Sequence, residues 1–126
     1  MEKLVKISIR QKDGNYEEKM FDFVPLSKRH EYLKKERDLS ERKDENGLFI
    51  EPTADEYDKM QIDFVASLFG DKTVTGKTLT EGLDTYDMEI IRNIIRYRVL
   101  GFNKEEDDAR KKAIQDNLSA GQNFTI

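Results

Sequence analysis

The chain has 126 residues, 37% of them hydrophobic and 38% charged, with a formal net charge of −4. That length fits one domain with a compact core, and the acidic balance argues against a general nucleic-acid binder, which needs a basic footprint. Zero cysteines and a single histidine exclude disulfides, thiolate metal sites and a His-based metal cluster, and no apolar run approaches the roughly 20 residues that span a bilayer.

The N-terminus alternates and carries charge throughout, so it does not read as a secretory signal. Val5, Ile7 and Ile9 alternate with Lys6, Ser8 and Arg10, the period-2 pattern of a half-buried strand. Asp13-Gly14-Asn15 is a turn signal. Phe21 and Phe23 then flank Asp22, and Pro25 closes the run. The pattern predicts a β-hairpin with strands near 3–11 and 16–24 and one apolar face that includes both phenylalanines. A lone hairpin is marginal in water, so that face must pack on helices.

Ser27 is the expected N-cap of a helix over 28–43. Its apolar stripe is thin: Leu26, His30, Leu33 and Leu39. Asn46-Gly47 breaks it. Leu48-Phe49-Ile50 reads equally as a short third strand or as a loop that plugs the core.

Thr53-Ala54-Asp55-Glu56 is a capping box after Pro52. Tyr57, Met60, Phe64 and Leu68 follow at helical spacing, with Val65 and Phe69 widening the face. The helix is expected over 54–69, with Gly70 just past its end. A short helix over 76–82 places Leu79 and Leu83 on one face. Asp84 or Thr85 caps the next helix, which runs to Leu100. Its apolar face holds Ile90, Ile91, Ile94, Ile95 and Tyr97, and Gly101 ends it.

Asn103 looks like the cap of a last, charged helix over 104–118. Glu106/Arg110, Asp107/Lys111 and Asp108/Lys112 stand at i,i+4, each pair adding about 0.3 kcal/mol. Only Ala109, Ala113, Ile114 and Leu118 offer it an apolar strip. Residues 119–126 have no periodicity and are expected to be mobile. The fold class is therefore α+β: a hairpin packed on a mostly helical bundle over residues 1–102, then a charged helix and flexible tail over 103–126.

No catalytic constellation emerges. The stretch from Gly70 to Gly76-Lys77-Thr78 invites a phosphate-loop reading, but five residues separate the glycines where the motif has four, and a helix precedes it instead of a strand. His30 stands among cations without a nucleophile partner and reads as a half-exposed helical residue. Glu105, Glu106, Asp107 and Asp108 are consecutive, so they point around a helix and do not converge on a cation; a solvated, salt-bridged face is expected. Arg92, Arg96 and Arg98, with Tyr97, are the one basic concentration on an apolar helix. They can grip an acidic partner or a nucleic-acid backbone, or simply stabilise a helix C-terminus and answer Asp55, Glu56, Asp58 and Asp63.

An apolar helix ending in Phe69-Gly70, a Thr-containing connector, Leu79-x-x-Gly82-Leu83 with an acid just beyond, and an apolar helix of paired isoleucines ending in Leu100-Gly101 follow one another. This order resembles the tail assembly chaperones of long-tailed phages of Gram-positive bacteria. The resemblance covers residues 57–101 well and the hairpin loosely. Departures are the less charged segment 44–53 and the polar end with Phe124-Thr125-Ile126. It implies a non-enzymatic, cofactor-free protein acting in the host cytoplasm and absent from the mature virion. It also implies binding to the tape measure protein, recruitment of the tail tube protein through a longer frameshifted form, and self-association, with no nucleic-acid or membrane partner. Arg92, Arg96, Tyr97, Leu118, Phe124 and Ile126 are the candidate protein-binding residues. The alternative is a small phage or mobile-element regulatory module. A helix-turn-helix built from 54–69 and 76–83 would read DNA with Lys77 alone, too little for phosphate and base contacts.

Overall fold

A computed structural model of the chain describes residues 3–122, with side chains through Ser119. Two antiparallel strands, β1 (Val5–Arg10) and β2 (Tyr16–Phe21), are followed by helices α1 (Leu26–Ser40), α2 (Ala54–Ala66), α3 (Gly76–Gly82), α4 (Met88–Asn93) and α5 (Lys104–Gln122). The fold is α+β, as the sequence predicts.

In the hairpin, Val5 faces Phe21, Ile7 faces Lys19 and Ile9 faces Glu17. Its buried side is therefore supplied mostly by β1. Phe21 packs edge-on against Phe69, ring centres 4.9 Å apart. Lys19 bridges Glu17 (2.7 Å) and Asp71 (2.9 Å), tying the polar half of β2 to the connector after α2. The strands stop sooner than the pattern suggests, and Phe23 is 73% exposed instead of joining the face. The Arg98 guanidinium donates to the carbonyls of Lys3 (3.2 Å) and Asp22 (3.0 Å), tying the two chain segments together just beyond the last strand pair.

Helix α1 starts two residues early, at Leu26 behind Pro25, and ends three early, at Ser40, without the expected Ser27 side-chain cap. Its buried stripe is also displaced. Tyr32 is the buried residue, whereas Leu26, His30 and Leu33 are exposed and Leu39 half-buried. Tyr32 meets Phe64 edge-on at 5.1 Å, and its hydroxyl accepts from Gln61 Nε2 at 3.1 Å. The aliphatic stem of Lys28 stays half-buried while its ammonium lies 5.6 Å from the Phe64 ring centre. After α1 the chain forms neither a third strand nor a core plug. A single bridge joins Lys43 to Phe49, Asp44 Oδ1 accepts from the Asn46 and Leu48 amides, and Phe49 is 67% exposed.

Helix α2 matches its expected boundaries once the short 3-10 turn Ser67–Phe69 is added. Both halves of the Thr53/Glu56 capping box form. Glu56 also receives Arg42 at 2.6 Å, and that hydrogen bond holds its carboxyl down at about 2. Gly70 closes the helix at φ +63°, a left-handed geometry that favours glycine. Gly82 meets a different need. A Cβ there would fall 2.4 Å from Ile9 Cγ2 and 2.8 Å from the Arg10 carbonyl oxygen, so only glycine lets α3 lie directly on β1. The core joins Ile7, Ile9 and Phe21 of the hairpin to Tyr32, Phe64, Val65, Leu79, Ile91, Ile94 and Ile95.

Candidate docking groove

The helix that begins at the Asp84 cap does not stay α-helical. Residues Thr85–Asp87 form a 3-10 turn, α4 follows, and Ile94–Val99 form a π-helix, with the Leu100 amide donating to the Ile95 carbonyl. Across these last two segments Ile91, Ile94, Ile95 and Val99 are buried. Ile90 is exposed and Tyr97 half-buried on the flank. The expected face of five residues thus divides, with Ile91, Ile94 and Ile95 to the core and Ile90 and Tyr97 to the surface.

That flank forms one wall of a groove of about 810 Å³. Leu4 and Val5, entering β1, form the opposite wall. Phe102 closes the end after the Gly101 turn, and Lys104, Glu105 and Asp108 of α5 form the rim. Leu4, Ile90 and Phe102 are all exposed there. A second hollow of about 620 Å³ between α1 and α2 has a charged rim. Its side chains Arg42 and Glu56, and Lys59 and Asp63, are already paired with one another.

The arginines of this region serve the fold. Arg92 reaches Asp58 of α2 at 3.6 Å. Arg98 bridges the hairpin ends. Arg96 donates from Nε and Nη2 to the two carboxylate oxygens of Asp107, at 2.5 and 3.1 Å, and its guanidinium lies 4.5 Å from the Phe102 ring centre. Asp107 is buried, and its hydrogen bonds from Arg96 pull its carboxyl from 3.8 to about 2. This corrects the expected solvated acidic face: Asp107 turns inward, and Arg96 is answered from α5 and not from α2. Of the expected i,i+4 pairs in α5, none forms among the described residues; Lys104–Asp108 (3.2 Å) and Arg110–Asp107 (4.0 Å) form instead.

Of the six candidate contact residues, Tyr97 lines the groove, Arg92 and Arg96 stand on the neighbouring surface toward Tyr57 and Gln61, and Leu118 projects from α5 at 63% exposure. Phe124 and Ile126 lie outside the described residues. Helix α5 runs past residue 118 to Gln122, through part of the stretch expected to be mobile, because no proline interrupts it. The sequence reading missed Leu4 and Phe102. Their one signal is a lone apolar residue beside a strand start and a helix-ending glycine.

Among the described residues no group of His, Cys, Asp and Glu is placed to hold a metal ion, and no helix is long and apolar enough to cross a membrane. Lys77 is the one basic side chain on the seven-residue α3. No significant match was found among curated proteins or solved structures. A family model described as phage tail chaperone protein matches residues 1–116, spanning the hairpin, the core, the groove and most of α5. The chain belongs to the phage tail chaperone family.

Proposed function

We propose that this tail chaperone binds hydrophobic helical segments of the phage tape measure protein and keeps them soluble in the host cytoplasm while the tail tube assembles. The observation that carries this reading is the groove beside Ile90 and Tyr97. Apolar Leu4, Val5, Ile90, Ile94 and Phe102 line it together with polar and charged side chains, and it is open to solvent at Leu4, Ile90 and Phe102. An amphipathic helix offers the matching shape, with apolar anchors at i, i+3 and i+4 and a charged outer face. The heavily charged remainder of the chaperone surface keeps such a complex dissolved. Several copies per target are expected, because a long helical protein presents many such segments.

The test is co-expression with the tape measure protein. The expected result is a soluble complex that Ile90→Asp disrupts while the variant still melts cooperatively. A tape measure protein that stays equally insoluble with and without the chaperone overturns the reading.

A further inference from the structure

Arg96 does not line the groove; it stands on the neighbouring surface that faces Tyr57 and Gln61. Yet it holds two of the groove's parts. Its guanidinium lies 4.5 Å from the ring centre of Phe102, which closes the groove's end. Its Nε and Nη2 donate to the two carboxylate oxygens of Asp107 in α5, the helix that supplies Lys104, Glu105 and Asp108 to the rim. The Phe102 amide also donates to the Arg96 carbonyl, at 3.1 Å. Little else fixes this wall. Asp107 is the one buried side chain of α5 among those described. The chain enters the helix through Gly101, left-handed at φ +78° and with open space where a Cβ would stand. One wall of the groove, with Leu4, Val5, Ile90 and Ile94, thus belongs to the body. The other is an arm pinned through one guanidinium.

We propose that Arg96 is the positioning residue of the docking groove, and that the Arg96–Asp107 latch is coupled to the groove's occupancy. A helix lying in the groove touches the body wall and the arm wall together. With the latch shut, both walls stand ready. With it open, docking must first immobilise the arm, and that ordering cost lowers affinity. Coupling between sites is reciprocal, so an occupant that bridges both walls also holds the latch shut. Arginine suits the place because its planar fork takes both carboxylate oxygens at once, which a lysine ammonium cannot do. The coupling rests on the reading that a tail-protein helix docks here; the pinning of the arm does not.

The chain has no cysteine, so spin labels can be attached at Ser8→Cys in β1 and Asn117→Cys in α5, both exposed positions. With labelled chain diluted into unlabelled, the parent should give one narrow distance distribution. Arg96→Lys keeps the charge and loses the fork; its distribution should broaden while its melting stays that of the parent. The dissociation constant of the co-expressed tape measure complex should rise about tenfold in Arg96→Lys, in Asp107→Asn and in the double variant alike. All three break the same pair, whereas two independent structural losses would multiply. An Arg96→Lys chain whose distances stay narrow, or whose arm is freed without weakening the complex, overturns the proposal and leaves the docking reading standing, as do losses that multiply in the double variant. A parent chain that holds no tape measure protein overturns both.

Discussion

The seven-residue α3 and the nineteen-residue α5 reverse the usual expectation from length. The short helix is held by tertiary contact: Leu79 is fully buried, and Gly82 lies against Ile9 and Arg10. The long one meets the body through a single buried side chain among those described, Asp107. An isolated helix of about this length is marginal in water, and its two local ion pairs add only about 0.3 kcal/mol each. Burial, not length, decides which helix is firm here. The body is secured by apolar surface removed from water, and the arm by one charged latch.

The largest effects should separate these two regions. Phe64→Ala or Ile91→Ala, both in the core, should each lower stability by about 2–5 kcal/mol in denaturant titrations. Leu118→Ala should change it by less than about 0.5 kcal/mol. Equal losses would mean that α5 is packed after all.

A smaller effect is expected at the contact that holds α3. Gly82→Ala forces a methyl group into Ile9 and a backbone carbonyl. The expected cost is about 1–3 kcal/mol by thermal melting. A neutral result would show that α3 can lift from β1 freely.

The smallest effect should be confined to the arm. The Asp107 carboxyl is depressed in the folded chain, from 3.8 to about 2. Its contribution is therefore fully present above pH 3.8 and is lost as pH falls through about 2. Hydrogen exchange of α5 amides should accelerate across that window while the Phe64 and Ile91 amides remain protected. Asp107→Asn should produce the same loosening at neutral pH. Unchanged α5 exchange in that variant would show that the latch is not what holds the arm.

Much of the body was legible because its signals are local. The Thr53/Glu56 box, the Phe64 stripe, Gly70, and the 76–82 helix each follow from spacing and capping within a few residues. The α1 stripe was misread because Leu26 and Leu33 look more apolar than Tyr32, yet Tyr32 finds both an aromatic neighbour in Phe64 and a hydrogen bond from Gln61. The groove was only half visible. Ile90 and Tyr97 were on the expected face, but its other wall comes from Leu4, some ninety residues away along the chain.

By itself, the sequence determined the α+β class, the hairpin turn, the order of helices and the family, because period, caps and glycine positions act between near neighbours. Only the tertiary structure decided where the hairpin ends, which side of the isoleucine helix stays wet, and what the charges do. Arg98 ties the open end of the hairpin by donating to the Lys3 and Asp22 carbonyls, and the packing of Ile91, Ile94 and Ile95 into the core leaves Ile90 and Tyr97 on the flank. Asp107 chooses Arg96 over its helical neighbours because a bidentate pair at the helix root offers two aligned hydrogen bonds, where a solvated i,i+4 pair offers one screened contact.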